Sequence, residues 1–512
     1  MLPFFLYENI MHGIIFGGLL EDMGTESDMV SIRRSSGAHK IATFLRKHDY
    51  DIEVVDYIHR WSLDQLKQFA ASRVSQSTLF FGFSSTFAIS TPTLKDFLFW
   101  LKETYPHIPQ VIGSQNQTMR ELPCDWYIYG YGEYAMIALL EHFQGSPEPL
   151  HTDKLINAYV DYKAFPKEDL SVQYEERDYI HEREILLLEM ARGCKFKCSF
   201  CSFPVLGVKD DHTSSEDLLY DEMLKNYDNW GTTHYMVLDE TFNDSSEKIA
   251  KYARAIRRLP FTPKMTAYIR ADLMVSRIQD WDNLIDMGIT SHFYGVESMH
   301  QPSAKAIGKG MNSGKIQDGL LMVDEYFRKN AGFYKGHISL IAGLPHETID
   351  TLRETKTWLE NNWSQNSFHM NVLMIKDLEK QGVTLNHNSE MDVNWSKFGY
   401  RRSIWQEDDI DWSKSINPYF QRLYDYVKES QYYLNWENDN LNLHQVMKFC
   451  AEEWSQAKIK NIVDPFMYDK FFIDPTVQWK DFAEKEHMER RTDHINAHID
   501  SYIQKKLGIE CV

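Results

Sequence analysis

The chain has 512 residues, and 74 acidic against 55 basic side chains give a formal net charge of −19, with apolar residues at 43%. At roughly 100–200 residues per domain this suffices for about three domains with real cores, while the negative balance disfavours nucleic acid as a partner. No apolar run approaches the roughly 20 residues of a membrane-spanning helix, and Met1 to Ile10 carries Glu8 and lacks a basic leader, so a cytoplasmic protein without a membrane partner is expected.

From residue 12 to about 145, short apolar runs alternate with helical patterns. His12 to Gly18, Asp51 to Asp56, Leu79 to Phe83, Gln110 to Gly113 and Trp126 to Tyr129 read as strands. Ile41, Ala42 and Leu45, then Leu94, Phe97, Leu98 and Leu101, recur at helical spacing between them. This predicts a doubly wound α/β domain, Rossmann-like, over 1–150. Glycines and small polar residues gather where the strands end, at Gly17-Gly18, Gly82 to Thr86, Gly113-Ser114 and Gly130 to Glu133. Ligands of open α/β sheets bind at such ends, although each glycine taken singly also fits a tight βα turn.

A polar stretch, 151–182, with Pro166 and Glu175 to Asp178, reads as a linker. Beyond it Glu184 to Glu189, Tyr235 to Asp239, Lys264 to Tyr268, His292 to Val296, Gly336 to Ile341 and Phe368 to Leu373 read as strands with helical segments between. Six βα units predict a partial (β/α)6 TIM-type barrel over 183–380, with its site at the C-terminal strand ends. Residues 381–512 read as a mainly helical, aromatic-rich C-terminal region containing Trp395, Trp405, Trp412, Trp436, Trp454 and Trp479. Core packing is the simple account of these rings, and a wall facing substrate is the sharper one.

Three of the six cysteines, Cys194, Cys198 and Cys201, fall within eight residues directly after the first barrel strand. A disulfide scaffold does not suit so long a chain. Three thiolates on one loop can hold three irons of a 4Fe-4S cubane and leave the fourth open to another ligand. Zinc normally takes four ligands; Cys124, Cys450 and Cys511 are remote in sequence and the loop contains no His.

Cys-x3-Cys-x2-Cys with an aromatic residue, Phe200, before the last Cys resembles the hallmark of the radical S-adenosylmethionine (SAM) superfamily. Arg192-Gly193-Cys194 looks like the branch containing methylthiotransferases and cobalamin-dependent members, with Lys195 where that branch often has Pro. Further resemblances follow in order: Leu238 to Asn243, Tyr268 to Leu273, Gly295 to Ser298 with Lys309-Gly310, and Ile341 to Thr348. The resemblance implies that SAM chelates the open iron. Glu297 would then accept from ribose hydroxyls or the ammonium, Arg270 would pair with the carboxylate, and Phe200 with the Ile341 to Leu344 backbone, Gly343 included, would flank the adenine. A barrel-rim ion pair is the plainer reading of Arg270 and Glu297. Asp239 and Glu240 would face cofactor or substrate.

The domain ahead of this barrel resembles the cobalamin-binding domain of cobalamin-dependent radical enzymes, through Ser36-Gly37, Val54 to Asp56, the Gly82 to Phe87 segment, Val111 to Gly113 and Gly130 to Glu133. Gly82, Ser84, Ser85, Gly113, Gly130, Gly132 and Glu133 are the implied cobalamin-contacting positions. The Asp-x-His-x-x-Gly motif that supplies a lower axial ligand in other cobalamin domains does not occur in the chain; the radical branch commonly lacks it.

The resemblance therefore implies an enzyme in which a reduced 4Fe-4S cluster cleaves SAM to methionine and a 5′-deoxyadenosyl radical, used for cobalamin-dependent methylation of an unactivated carbon. It also implies a one-electron reductant of flavodoxin or ferredoxin type and a small-molecule or peptide substrate. Rearrangement, cyclisation or oxidation without methyl transfer is the alternative within enzymes, and a non-catalytic electron-transfer or redox-sensing protein the alternative outside them.

Overall fold

The structure, a computed structural model, describes residues 11–17, 34–84, 92–114, 122–146, 154–162, 165–182, 184–201, 212–310, 312–364, 366–375, 389–403, 409–415, 420–421, 424–425, 435–437, 441–454 and 485–509. The first six strands are β1 (His12–Gly17), β2 (Asp51–Val55), β3 (Thr78–Ser84), β4 (Gln110–Ser114), β5 (Trp126–Tyr129) and β6 (Leu155–Asn157), in one sheet ordered β2-β1-β3-β4-β5-β6. Every pairing within it is parallel.

Alternation along these strands feeds two cores. Ile14, Phe16, Phe81, Phe83 and Ile112 pack against Leu66, Phe69, Phe97 and Leu101 of the helices Leu63–Arg73 and Pro92–Thr104. Ile15, Phe80, Val111 and Ile128 pack against Ala42, Leu45, Ala135 and Leu139 of the helices Ser36–Arg46 and Glu133–Phe143. Both faces are covered, so this is the doubly wound domain that the sequence predicts. β6 was not foreseen, because three residues are too short for a period to register.

The stretch expected as a linker is largely packed. Leu170, Val172 and Asp178 are at most 3% exposed. Thr43, Arg46 and Lys47 of the first helix bond to Gln173, Asp178 and Asp169. Its charged residues satisfy a helix face where solvent was expected.

The remaining strands are β7 (Leu186–Leu188), β8 (Ala191–Arg192), β9 (His212–Thr213), β10 (His234–Val237), β11 (Lys264–Arg270), β12 (Ile289–Glu297), β13 (Lys335–Ala342), β14 (Ser367–Val372), β15 (Arg401–Ser403) and β16 (Asn435–Glu437). A second six-stranded sheet is ordered β14-β13-β12-β11-β10-β7, so each strand lies beside its chain predecessor in the sheet. Its pairings from β11 to β14 are parallel. Each follows a βα crossover, such as the helices Ser246–Ile256, Ser313–Asn330 and Ile349–Asn362. This is the partial TIM-type barrel.

By compactness the chain forms two units where the sequence suggests four segments: residues 1–190 with 217–234 and 469–512, and residues 191–216 with 235–468. The C-terminal region is helical in its longer elements, Leu443–Glu452 and Lys485–Lys506, with β15 and β16 as a small antiparallel pair. It is divided between the units. Ile499, Tyr502 and Ile503 of the last helix belong to the core of the first, whereas Trp454 packs on Phe368 of the second, its ring 5.0 Å away. Trp405, Trp479 and Cys511 lie outside the described residues. No helix among the described residues is long and apolar enough to cross a membrane.

Candidate active site

The cysteine loop leaves β8 at Gly193, whose φ of +104° suits glycine. Carboxylates anchor its start: Ala191 N–H donates to Asp239 at 2.9 Å and Gly193 N–H to Glu240 at 3.0 Å. Asp239 and Glu240, expected to face cofactor or substrate, therefore hold the loop. Further along, Ser199 N–H donates to Ile307 O at 3.2 Å, and Met391 N–H to Ser199 O at 3.0 Å. Gly308, with φ +84°, lets the chain approach: a Cβ there would sit 3.5 Å from Lys197 O and 3.8 Å from the Cys198 Cα.

All three loop cysteines are free thiols of intermediate exposure. Among the described residues no three His, Cys, Asp or Glu side chains close on one single-ion point. Three thiolates on one loop suit a multi-iron cluster, whose corners take one thiolate each, better than a zinc ion bound by four groups. Cys194 Sγ lies 3.6 Å from Thr241 Oγ1, and Arg270 Nη1 donates to Cys198 Sγ at 3.4 Å.

Arg270 ends β11 and is 7% exposed. It bonds Asp272 at 2.8 Å and Gly308 O at 3.3 Å, and its guanidinium carbon sits 4.1 Å from the centre of the Phe196 ring. Burial alone would lower its pKa; Asp272 and Cys198 more than offset this and raise it. Its donors point to Asp272, Cys198 and Gly308 O.

Glu297, at the end of β12, has φ +67°, a conformation costly for a residue with a Cβ. The strain coincides with a register shift between Gly295 and Glu297 against β13. Its carboxylate lies 3.5 Å from Lys309 Nζ, which also donates to Gly295 O at 2.8 Å. Burial raises the Glu297 pKa, against the opposing pull of Lys309 and Arg270. Lys309 was quoted in the sequence motif but given no role there; the signal was its position just after the short helix Gln301–Ala306.

Phe200, Ile341 and Leu344 meet in one apolar cluster with Ile307 and Met391. Gly343, at φ +94°, begins the turn that follows β13. Glu347 fixes that turn by accepting from Gly343 N–H at 2.9 Å, Leu344 N–H at 3.0 Å and the Ser298 hydroxyl at 2.8 Å. Tyr400 donates to Gly343 O at 2.8 Å. Burial pushes the Glu347 carboxyl up to about 7 despite these donors. Glu347, which lies within the Ile341 to Thr348 motif, and Tyr400 have no role that sequence alone assigns, since most of their partners are backbone atoms.

The first unit offers a different edge. The order β2-β1-β3-β4-β5 reverses direction between β1 and β3, the position where doubly wound sheets bind ligands. There Ser35, which caps the helix Ser36–Arg46, donates to Ser84 Oγ at 2.9 Å. Among the described residues the nearest non-neighbour atom to a Cβ placed on Gly113 is Phe83 O at 4.0 Å, and Gly130 has φ +106°. Gly82 instead serves packing: a Cβ would meet Phe80 at 3.0 Å and Ile15 at 3.1 Å. Gly132 likewise admits Ile41 and Ile128, at 3.3 and 3.4 Å from such a Cβ, and Glu133 is 3% exposed. Ser85 lies outside the described residues. Small residues at three adjacent strand ends suit a bulky planar ligand approaching backbone.

The profile of the Radical SAM superfamily matches residues 188–359, and no curated protein sequence matches the chain significantly. Among solved structures the chain is similar to the radical S-adenosylmethionine methyltransferase TsrM from Kitasatospora setae with cobalamin and a 4Fe-4S cluster bound. The two are 11% identical with a TM-score of 0.59, over 96% of this chain and 99% of that one. Against TsrM with tryptophan substrate and a SAM analog bound, the values are 12% and 0.59, over 77% and 79%. The cobalamin-dependent S-adenosylmethionine radical enzyme OxsB, with aqua-cobalamin and SAM bound, is 17% identical with a TM-score of 0.50, over 76% of this chain and 56% of that one. At such identities the likeness is one of fold.

Proposed function

The chain belongs to the Radical SAM superfamily through residues 188–359, and on that premise we propose that it is a cobalamin-dependent radical SAM methyltransferase acting on an unactivated carbon. The observation that carries the reading is the loop of three free thiols at the mouth of a partial barrel, with the Arg270 cation against Cys198. The hard chemistry would come from the bound cofactors: a cluster held by Cys194, Cys198 and Cys201 would supply one-electron reductive cleavage of SAM, and a corrinoid would supply methyl transfer.

The protein's own groups bind, orient and exclude water. Cys194, Cys198 and Cys201 hold the cluster, and Arg270, anchored by Asp272 and Phe196, steadies the charge on Cys198. Glu297, kept in its strained conformation beside Lys309, offers acceptors to the ribose hydroxyls or the ammonium. Phe200, Ile341 and Leu344 give the adenine an apolar wall, and Glu347 holds the Gly343 turn against it. In the first unit, Ser84, Gly113 and Gly130 present backbone and hydroxyl groups to the corrinoid. The open backbone at Gly113 and the ligand-type strand order support that assignment, and the fold likeness to TsrM over nearly the whole chain is in keeping with it. A one-electron reductant of flavodoxin or ferredoxin type completes the system.

The test is anaerobic reconstitution with iron and sulfide, with and without hydroxocobalamin, followed by reductant and methyl-labelled SAM. The reading expects 5′-deoxyadenosine and a tightly held corrinoid. A protein that makes 5′-deoxyadenosine but holds no corrinoid would be a radical enzyme of the rearranging or oxidising kind. One that forms a cluster yet never cleaves SAM with any substrate would be an electron carrier or sensor.

A further inference from the structure

The second sheet carries a polar chain that the proposed function leaves unused. Alternation sets His337, Ser339 and Ile341 of β13 on one face, beside Ser367, His369 and Asn371 of β14; Ser339 pairs with His369 and Ile341 with Asn371 in register. Phe293 of β12 continues this face, its ring 5.2 Å from His337 and 5.6 Å from His369. Tyr268 of β11 follows, 4.9 Å from Phe293. Two residues above Tyr268 on the same strand stands Arg270.

Exposure separates this face from its reverse. Ile338, Leu340 and Phe368, on the opposite side, are at most 1% exposed. Tyr268, Phe293 and His369 are half-buried and Asn371 is exposed. The strip is thus an open aromatic surface ending in one amide.

That amide is oriented from behind. Asn371 Nδ2 lies 3.1 Å from His369 Nε2, His369 Nδ1 is 2.6 Å from His337 Nε2, and His337 Nδ1 is 2.7 Å from Ser367 Oγ. Burial lowers the pKa of both imidazoles, His369 to about 4, so each ring carries one proton. If Asn371 donates to His369, the remaining links have one polarity: His369 Nδ1–H donates to His337, and His337 Nδ1–H donates to Ser367. Ser339 Oγ, 3.3 Å from His369 Nε2, completes that nitrogen's surroundings. One N–H of Asn371 is thereby occupied, and its Oδ1 and second N–H are left on the exposed side.

We propose that Asn371 is a substrate-recognition residue, positioned by the His369–His337–Ser367 chain, and that the substrate presents a planar carboxamide-like edge with a donor and an acceptor side by side. The inference rests on the proposed function: a substrate taken up beside the groups assigned there to the cluster and the adenine would meet the strip that continues from Arg270 and Ile341. Tyr268 and Phe293, whose rings meet edge to face at 62°, form the apolar floor for such a group.

The probe is benzamide, with benzoate, which lacks the donor, as its control, titrated by ligand-observed NMR into anaerobically reconstituted enzyme with S-adenosylhomocysteine. Wild-type protein should prefer benzamide. Asn371→Leu should weaken it about tenfold and His369→Phe about fivefold, the scale of one or two oriented hydrogen bonds. His369→Gln, whose Oε1 accepts from the Asn371 amide, should stay within about twofold of wild type, a rescue that a purely structural role for the ring does not produce. Equal binding of benzamide and benzoate, or undiminished benzamide binding in Asn371→Leu, overturns the inference while leaving cluster formation and SAM cleavage to judge the enzyme reading. Failure of the wild-type protein to form a cluster overturns that reading instead.

Discussion

The strand-end edges of the two parallel sheets solve opposite problems. In the second sheet the edge gathers charged and sulfur-bearing side chains: three half-buried thiols, the buried Arg270 against Cys198, and the buried Glu297 strained beside Lys309. In the first, the charged groups at the end of β2 are sealed. Arg34 is 3% exposed, bonds Asp56 at 2.9 Å and Glu184 at 2.8 Å, and lies over the rings of Tyr57 and Tyr502. What that edge leaves open is backbone and small side chains. Side chains carry recognition in one sheet, and their absence carries it in the other.

The largest effect that sharpens this contrast is expected at the cysteines. Cys198→Ala should lose both the roughly 400 nm cluster absorbance and all SAM cleavage, because three thiolates alone hold the cubane; iron retained with activity in that variant contradicts the assignment.

Next comes the sealed network. Removing one partner of a buried pair leaves the other charge uncompensated, so Arg34→Met should destabilise the first unit by about 3–5 kcal/mol in denaturant unfolding. Burial alone would raise the Asp56 pKa, but His39 at 2.8 Å and Arg34 more than offset it and hold the carboxyl well below its usual range. Its stabilising contribution is therefore fully present above an unfolded pKa of about 4 and lost as pH falls toward the depressed folded value. A melting temperature that does not drop between about pH 5 and pH 3 argues against this network.

Glu347 has the opposite sign. Its carboxyl is raised to about 7 by burial, so ionisation is disfavoured in the folded state and the associated stability falls as pH rises from its unfolded value toward 7. Glu347→Gln should flatten that slope in pH-dependent melts. Glu347→Ala leaves two backbone donors without their acceptor, at a cost of about 1–3 kcal/mol.

Glycines give the finest discrimination between the two edges. Gly113→Ala, whose Cβ would lie 4.0 Å from Phe83 O among the described residues, should weaken hydroxocobalamin binding with a stability change within about 0.5 kcal/mol, and Gly113→Leu should weaken it further. Gly82→Ala should cost stability by crowding Phe80 and Ile15 while leaving corrinoid affinity intact where the fold survives. Corrinoid binding that ignores Gly113→Leu removes the open-backbone account.

How much of this was legible in the sequence follows the same division. Cysteine spacing and strand periodicity are local signals, so the thiol loop and the principal strands of both sheets could be read directly. Roles that depend on backbone contacts were hidden: Glu347, from four residues away, and Tyr400, from a distant segment, act on the Gly343 turn, and Asp239 and Glu240 on the loop's backbone. The 151–182 stretch looked like a linker because it is rich in charge, yet those charges pair with the face of the first helix. Nothing local says that Lys506, near the chain's end, bonds Glu53 on β2 at 3.1 Å. Among the glycines, sequence could not separate Gly113, open to a ligand, from Gly82, filled by neighbours.

The most direct measurement is Mössbauer and electron paramagnetic resonance spectroscopy of the anaerobically reconstituted protein, with and without SAM. A 4Fe-4S cluster with one distinct iron site whose spectrum changes when SAM is added is the predicted result. A protein that binds zinc in place of the cluster, or a cluster whose spectrum is indifferent to SAM, contradicts the account.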